Sequence, residues 1–367
     1  MSTIQSIGTA VPENSIDQRQ IAEFMAQAHG FDSAKKNKLL ALYRASGISK
    51  RHSVIHDYAS LQPESWGFYP SSKDLRPFPT TADRSAIYRK HALKLSQEAV
   101  GKCLKPLRIE KSQITHIITV SCTGMYAPGL DIDLVKALGL STNIQRTSIN
   151  FMGCYAALTA IKSADAICKS QPKANVLVVA TELCTIHFQN KTDDDNLLAN
   201  AIFSDGSAAF LMSGEDNRHK EGIRLSPKAF HCELLTDGEK DMAWNIGDFG
   251  FEMKLSAYVP DLVQSGISSL VHSLTNQITE GEIDHYAIHP GGKKILTVIE
   301  EELGLEKSVN EHAHQVLRQF GNMSSPTVLF VLKSLMDSLK EKNKGESILS
   351  LAFGPGLTLE SVLFEIS

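Results

Sequence analysis

Three residues whose side chains could together move an acyl group are Cys154, His289 and Asn322. Cys154 follows a glycine and precedes an alanine-rich helical segment, which predicts a sulfur at a helix N-terminus, where the macrodipole and free N–H groups favour a thiolate. His289 ends an apolar run before Pro-Gly-Gly, and a histidine at the carboxyl end of a strand faces the crevice where α/β sheets bind ligands. Asn322 precedes a helical segment with Pro326 in its first turn.

Each residue also has an ordinary structural interpretation, as a buried small side chain, a turn residue and a helix cap respectively. Together the three residues suit acyl transfer, because a thiolate needs a nearby imidazolium and an acyl thioester needs hydrogen-bond donors where oxyanion charge develops. Papain-like proteases have the same chain order, but Cys154 lacks their Cys-Gly-Ser-Cys-Trp signature. The sequence therefore predicts an acyl-transferring enzyme with Cys154 as nucleophile, and a cysteine hydrolase stays open as an alternative.

Apolar runs bounded by turns alternate with helical-period segments along the chain. The predicted strands are residues 116–121, 175–181, 284–289 and 346–353. The predicted helices are residues 82–104, 154–169, 256–277 and 325–340. This alternation favours an α/β architecture with parallel sheets covered by helices. Residues 61–80, rich in proline and aromatic side chains, predict a long irregular surface loop that packs on the protein.

Two segments share one plan, a glycine turn followed by an apolar strand. They are residues 203–212 and 353–364. If each closes one half of the protein, the polar stretch 214–222 separates an N-terminal half, 1–220, from a C-terminal half, 221–367. A coincidence of two hairpins is the alternative to this duplication.

Composition excludes several classes of function. The 367 residues carry a net charge of −4, with 37 Lys and Arg against 41 Asp and Glu, so no basic field predicts a nucleic-acid partner. No segment approaches the roughly 20 apolar residues that span a bilayer, and the N-terminus does not look like a signal peptide. The six cysteines form no CxxC pair and no metal-ligand spacing. We therefore expect a cytoplasmic protein without a bound metal or permanent cofactor.

The chain resembles the type III polyketide synthases, the chalcone-synthase-like branch of the thiolase-fold condensing enzymes. The matching segments run along nearly the whole chain and are residues 7–12, 46–52, 84–88, 150–159, 202–206, 288–292, 321–325 and 353–357. Each segment alone is a weak signal, whereas all of them in order are a strong one. The resemblance implies a thiolase-like α/β fold of two similar βαβαβαββ halves with layered sheets and helices.

The resemblance also implies roles for the three residues. Cys154 would accept a starter acyl group from coenzyme A. His289 and Asn322 would hold the malonyl thioester oxygen while carbon dioxide leaves, and the resulting enolate would attack the acyl-cysteine. Two preorganised donors at the enolate oxygen would lower that barrier.

Further positions match the family's coenzyme A entrance and cavity. Phe203 matches an aromatic gatekeeper, and Lys50 and Arg51 match a basic segment where coenzyme A phosphates enter. The other predicted substrate-binding positions are Cys122, Thr123, Cys184, His187, Ser324, Gly292, Gly354 and Pro355. His187 would put a bulky titratable group into the pocket. Residues 251–260 are two residues longer than the plant pattern, which leaves a second gatekeeper unassigned.

The activity implied is iterative decarboxylative condensation of malonyl-CoA onto an acyl-CoA starter in a homodimer, followed by cyclisation to a pyrone- or resorcinol-like product. A ketoacyl-ACP synthase III-like enzyme shares Cys, His and Asn but would use a carrier protein and stop after one condensation. A non-catalytic thiolase-fold partner subunit would show a broken triad. The starter, the number of extensions and the cyclisation route depend on cavity volume and stay open.

Overall fold

The computed structural model describes residues 2–107, 109–217, 222–256, 259–260, 263–264, 266–267 and 283–367. Their α-helices are α1 Gln18–Ala28, α2 Ser33–Ala45, α3 Thr81–Leu104, α4 Leu130–Leu138, α5 Ala156–Ser170, α6 Asp194–Ile202, α7 Lys293–Leu303, α8 Glu311–Phe320 and α9 Thr327–Ser338. Their strands are β1 Thr3–Ala10, β2 Ser15–Asp17, β3 Lys50–His52, β4 His116–Ser121, β5 Gln145–Asn150, β6 Asn175–Leu183, β7 Asp205–Ser213, β8 Leu225–Leu234, β9 Met242–Gly247, β10 Gly250–Leu255, β11 His285–Ile288, β12 Ser347–Gly354 and β13 Thr358–Ile366.

The four predicted strands and three of the four predicted helices are present, with ends within two residues of the prediction. Most of the fourth predicted helix, 256–277, lies outside the described residues. Strands β4 and β6 are buried along their whole length, as their apolar composition predicts for central parallel strands. Helix α3 begins at a capping box formed by Thr80 and Asp83, which satisfies its first free N–H groups.

The large sheet of the described residues has the order β11-β12-β13-β8-β1-β7-β6-β4-β5. It is mixed rather than parallel, which corrects the prediction of parallel sheets. Strand β1 pairs antiparallel with β7, β7 pairs antiparallel with β6, and β6 pairs parallel with β4. The same sequence of pairings joins β8 to β13, β13 to β12 and β12 to β11. These two runs of strands meet where Ile4 pairs with Leu225.

This repeated pairing matches the glycine-turn pattern, since β7 and β13 occupy equivalent places in the two runs. Both strands lie in the interior of the sheet, but only β13 follows a turn with glycine, Gly356, whereas Gly206 is already the second residue of β7. The proposed boundary between residues 220 and 221 touches undescribed residues, and it stays a prediction.

The proline-rich segment 61–80 is irregular, as predicted, apart from one short turn of 3₁₀-helix. The buried carboxylate of Asp57 accepts hydrogen bonds from the backbone N–H groups of Gly67, Phe68 and Tyr69, at 2.7–2.9 Å. The ring of Tyr69 lies 5.9 Å from that of Phe24 in α1. These contacts hold the segment against the core.

The fold brings several predicted site residues to one edge of the sheet. Cys122, Cys184 and His289 directly follow the carboxyl ends of β4, β6 and β11, which is where open α/β sheets bind ligands. Cys154 lies just before α5, and Asn322 lies between α8 and α9. Among the described residues, no helix is both long and apolar enough to cross a membrane.

Candidate active site

A cavity of about 1050 Å³, open mouth included, lies at this edge of the sheet. The predicted site residues on its wall are Cys154, His289, Asn322, Phe203, Cys122, Thr123, Cys184, His187, Ser324, Pro355 and Arg51. The predicted positions Lys50, Gly292 and Gly354 are not on the wall. The structure thus brings together most of the predicted set, from both halves of the chain.

Cys154 sits on a tight turn that only glycine allows. Gly153 has φ +82°, and a Cβ there would lie 2.3 Å from Pro355 Cδ. A Cβ on Gly354 would lie 3.2 Å from the Cys154 backbone nitrogen. The thiol is 8% exposed and lies 3.5 Å from Ser324 Oγ, to which it donates. The two glycines therefore shape the turn that presents the sulfur, and Gly354 acts behind the wall instead of on it.

Burial sets the protonation of the unliganded site. It raises the pKa of the Cys154 thiol to about 12, although the hydrogen bonds with Ser324 and Asn322 act in the opposite direction. Burial also lowers the pKa of the His289 imidazole to about 3. The resting pair is therefore a neutral thiol and a neutral imidazole. Loss of solvation at the buried sulfur thus opposes the thiolate expected from the helix N-terminus.

His289 offers both ring nitrogens to a ligand. Neither nitrogen has a hydrogen-bond partner within the part of the chain that the structure describes, although both are buried. The ring packs edge-on against Phe353 at 5.4 Å. A buried polar atom without a partner costs about 1–3 kcal/mol, so a substrate oxygen that accepts from the N–H would recover that cost.

The Asn322 side chain is oriented by hydrogen bonds on both ends of its amide. Its Nδ2 donates to Gly291 O at 3.1 Å, and its Oδ1 accepts from Ser324 N at 2.8 Å. Its backbone N donates to Ile202 O and its backbone O accepts from Ser204 N, each at 2.9 Å. The amide does not cap α9. Nδ2 carries two hydrogens, one that is donated to Gly291 O and one that faces the Cys154 sulfur in the cavity.

Glu182, at the end of β6, is a site residue that sequence reasoning missed. Its buried carboxylate accepts from Cys122 N (2.9 Å), Thr123 N (3.1 Å) and Ser325 Oγ (2.5 Å). Burial raises the pKa of this carboxyl group, and the hydrogen bonds counter that shift. The sequence feature that could have identified Glu182 is a single charged residue within an apolar strand. Glu182 fixes the turn that puts Cys122 and Thr123 on the cavity wall.

The β9–β10 hairpin supplies another part of the wall that the sequence did not assign. Its cavity-lining residues are Met242, Trp244, Phe251, Met253 and Leu255. Trp244 Nε1 donates to Cys122 O at 2.6 Å, which ties the hairpin to the turn after β4. The alternation of apolar residues around Gly247 and Gly250 could have predicted this hairpin.

His187 is buried in the wall and neutral, which corrects its expected role as a titratable pocket group. Nε2 donates to Thr123 O at 2.7 Å, and Nδ1 accepts from Phe251 N at 3.0 Å, so the hydrogen bonds define the tautomer. The ring stacks on that of Phe251 at 4.2 Å. Burial lowers the pKa of His187 to about 3. The residue is a tether between the hairpin and the cavity wall.

The depressed pKa of His187 predicts a pH-dependent stability. Unfolding lets this imidazole bind a proton at its ordinary pKa of 6.5, so its stabilising contribution is present above pH 6.5 and is lost as the pH falls toward 3. Relative to wild type, the destabilisation caused by His187→Gln should shrink by about 2 kcal/mol between pH 7 and pH 5. Urea unfolding of both proteins at the two pH values measures this difference.

Glu182 and Asp205, whose pKa values burial raises, titrate alike in both proteins and cancel in that comparison. A His187→Gln destabilisation that is the same at pH 7 and pH 5 would show that folding does not lower the pKa of His187.

Arg51, predicted as a coenzyme A phosphate ligand, lies on the cavity wall, and its Nη2 has no hydrogen-bond partner among the described residues. Its predicted role stays a prediction. The residue is 3% exposed, and its guanidinium donates to Gln18 Oε1 and Phe203 O at 2.8 and 2.6 Å. Lys50, its neighbour in β3, is exposed, so its predicted role is sterically possible. Gly292 precedes α7 with open space around it, whereas Gly291 packs on Phe353 and lines the cavity in its place.

The fold and the Cys-His-Asn arrangement define a condensing enzyme of the thiolase-fold class. The family model for chalcone and stilbene synthases, N-terminal domain, matches residues 1–216, and the model for their C-terminal domain matches residues 228–366. The chain belongs to this family, the type III polyketide synthases.

Individual relatives agree with this assignment. The C-terminal type III polyketide synthase domain of a type I/III hybrid from Dictyostelium superposes with a TM-score of 0.90 at 31% identity, over 99% of each chain. A Dictyostelium discoideum protein named "Probable polyketide synthase 1" is 31% identical over 98% of this chain, which corresponds to only 11% of that protein's length. The Mycobacterium tuberculosis protein named "Alpha-pyrone synthesis polyketide synthase-like Pks18" is 28% identical over 100% of this chain and 91% of its own length.

Proposed function

We propose that this polyketide synthase condenses malonyl-CoA repeatedly, with loss of carbon dioxide, onto an acyl-CoA starter held on Cys154. The observation that carries the proposal is the shared cavity wall of Cys154, His289 and Asn322, where both ring nitrogens of His289 lack a partner among the described residues and an Asn322 N–H faces the sulfur. The name of the mycobacterial relative supports a pyrone as the product class, and a resorcinol-like ring is the alternative cyclisation.

Starter loading begins from the neutral thiol and imidazole. His289 takes the Cys154 proton as the sulfur attacks the acyl-CoA carbonyl, so the thiolate need exist only during the attack. The carbon–sulfur bond to coenzyme A then breaks, and the imidazolium returns the proton to the departing thiolate. The acyl group is left on Cys154, and His289 is neutral again.

Extension of the acyl chain uses the hydrogen-bond donors of His289 and Asn322. The thioester oxygen of malonyl-CoA accepts from the His289 N–H and from Asn322 Nδ2. Loss of carbon dioxide moves the electron pair onto that oxygen as an enolate, where the two donors stabilise the new charge. The enolate carbon then attacks the acyl-cysteine carbonyl, a carbon–carbon bond forms, and Cys154 leaves as a thiolate. Phe203 and the apolar wall favour the neutral carbon dioxide over the carboxylate.

A homodimer is also part of the proposal. Strand β5 is the last strand of the sheet in the described residues, and five of its six residues are exposed. Natural proteins cover such an unpaired edge, because it otherwise pairs with any available strand. The resemblance puts the dimer-crossing position at Ala127, two residues after Met125, which is 44% exposed. A second copy packed on this edge would cover both features.

The homodimer predicts a mass of two chains in solution. Thr147→Lys puts a like charge on each copy of the exposed strand, so it should lower the dimer fraction in light scattering at low salt. Thr236→Lys, an equally exposed position outside the sheet edge, should leave the mass unchanged. A single-chain mass for wild type at micromolar concentration would remove the dimer from the account.

A cytoplasmic location is supported by the six cysteines, all of which are unpaired thiols.

Product analysis tests the proposed function. Malonyl-CoA is supplied with a panel of acyl-CoA starters, and products are identified by mass spectrometry. Multiply extended and cyclised products would support the proposal and identify the starter. A single ketoacyl product formed only with a carrier protein would move the assignment to the synthase III-like alternative. Free acid without condensation would favour the hydrolase.

A further inference from the structure

The C-terminal end of α6 has an unusual set of hydrogen-bond partners. Four successive backbone carbonyls there each accept one hydrogen bond from outside the helix. The pairs are Tyr43 Oη to Asn200 O (3.0 Å), Gln18 Nε2 to Ala201 O (2.7 Å), Asn322 N to Ile202 O (2.9 Å) and Arg51 Nη1 to Phe203 O (2.6 Å). Terminal helix carbonyls lack partners within the helix and must find them elsewhere. One of the four donors is the backbone of a proposed catalytic residue.

Arg51 connects the other donors to one another. Its Nε donates to Gln18 Oε1 at 2.8 Å, and its guanidinium lies 5.5 Å from the centre of the Tyr43 ring. Its aliphatic stem packs on Gly321, whose φ is +71° and where a Cβ would approach Arg51 Cγ to 3.1 Å. Gly321 immediately precedes Asn322. Arg51 therefore contacts the segment that holds Asn322 as well as the helix end to which Asn322 is bonded.

The Arg51 guanidinium donates to the helix end through Nη1, while its Nη2 has no hydrogen-bond partner among the described residues. Asp205 is the nearby acid, but its carboxylate accepts from Val54 N and from the backbone N and Oγ1 of Thr185, at 2.7–2.8 Å. No ion pair between Arg51 and a carboxylate is found within the described residues. A cation at a helix C-terminus is stabilised by the macrodipole, which fits a buried guanidinium on a terminal carbonyl.

We propose that Arg51, together with Gln18 and Tyr43, forms a clamp on the end of α6 that positions Asn322 for decarboxylation. The inference rests on the proposed function, in which Asn322 stabilises the malonyl enolate. Arg51 is a positioning residue, since it acts through the backbone of residues 202–203 and 321–322. The clamp also holds the backbone of Phe203, the proposed gatekeeper, so the aromatic wall and the enolate donor share one support.

The clamp predicts an effect confined to one half-reaction. Starter loading needs Cys154 and His289, neither of which bonds to the end of α6. Decarboxylation needs the Asn322 amide at a fixed place, and a shift of about 1 Å in a catalytic group can cost about 100-fold in rate. Disturbing the clamp should therefore slow decarboxylation more than loading.

Two variants test the clamp. Arg51→Lys keeps the positive charge but removes the guanidinium that donates to both Gln18 and Phe203. Tyr43→Phe removes the hydroxyl that donates to Asn200 O. Malonyl-CoA decarboxylation and acyl loading of Cys154 are measured separately for each. For Arg51→Lys we expect the decarboxylation kcat to fall about 10-fold or more, with loading changed less than about threefold. Tyr43→Phe should shift the ratio in the same direction by a smaller factor.

Arg84→Lys is the matched control. Arg84 is an equally buried arginine that donates to the carbonyls of Pro79 and Ile186, outside the clamp. It should lower the thermal stability as Arg51→Lys does, without changing the ratio of decarboxylation to loading. If the ratio in Arg51→Lys equals that in wild type and in Arg84→Lys, the clamp proposal is wrong. Wild type that fails to decarboxylate malonyl-CoA would refute the proposed function first, so the two failures are distinguishable.

Discussion

Cys154→Ala is expected to abolish covalent acylation and every condensed product while leaving the fold intact. The side chain is small and sits on a turn set by Gly153, so losing one sulfur atom removes the nucleophile and little packing. Removing a covalent nucleophile costs at least about 10⁴-fold in rate in enzymes of comparable mechanism. Intact-protein mass spectrometry after incubation with acyl-CoA measures the acylation, and circular dichroism checks the fold.

The cavity itself offers the controls for this variant. Cys122 and Cys184 line the same cavity, and burial raises the pKa of both thiols. Cys122→Ala and Cys184→Ala should keep the acyl adduct. Cys168→Ala, a buried thiol in α5 away from the cavity, should behave as wild type. An acyl adduct that persists in Cys154→Ala and disappears in one of the cavity variants would transfer the nucleophile's role to that cysteine.

Asn322→Ala is expected to slow malonyl-CoA decarboxylation by about 100-fold or more, with a much smaller effect on starter loading. The amide is held by Gly291 O and Ser324 N, and its second N–H, which faces the Cys154 sulfur, is the donor proposed for the enolate oxygen. That charge develops only during decarboxylation, so the lost donor matters in that step. Release of carbon dioxide and the rate of acyl-enzyme formation are measured on the same preparation.

Asn310→Ala separates this effect from a general loss of packing. Asn310 is as buried as Asn322, and its Nδ2 donates to Glu300 Oε1 at 2.8 Å, away from the cavity. Both variants should lower the midpoint of thermal unfolding, but only Asn322→Ala should change the ratio of the two half-reactions. An equal loss in both half-reactions of Asn322→Ala would count against the enolate role.

Much of this fold and site could be predicted because the signals are local. The strands at β4 and β6 read as apolar runs, and His289 is marked by the Pro-Gly-Gly turn that follows its strand. Cys154 and Asn322 lie beside glycines whose positive φ values the structure explains. Residues next to turns at strand and helix ends were therefore found reliably, since the chain geometry itself puts them at the edge of the sheet.

The features that could not be predicted depend on whether a side chain points into the protein or toward solvent. Lys50 and Arg51 are adjacent in β3, and nothing in their residue types indicates that Lys50 is exposed while Arg51 reaches the end of α6. The expected charge states of Cys154 and His187 have the same difficulty. Burial opposes the thiolate at Cys154 and the imidazolium at His187, and the sequence alone does not reveal that burial. The place of the β9–β10 hairpin on the cavity wall depends on contacts between residues far apart in sequence, such as Trp244 with Cys122, which sequence patterns do not reveal.

The most direct test of the account follows the acyl group on the enzyme itself. Wild-type protein is loaded with an acyl-CoA starter, separated from free coenzyme A esters and given malonyl-CoA, and the Cys154 peptide is then analysed by mass spectrometry at short times. The account predicts the starter on Cys154 first, then the same cysteine carrying the starter extended by one and further ketide units as carbon dioxide is released. Starter that stays unextended on Cys154, or leaves as free acid while malonyl-CoA is untouched, would contradict it.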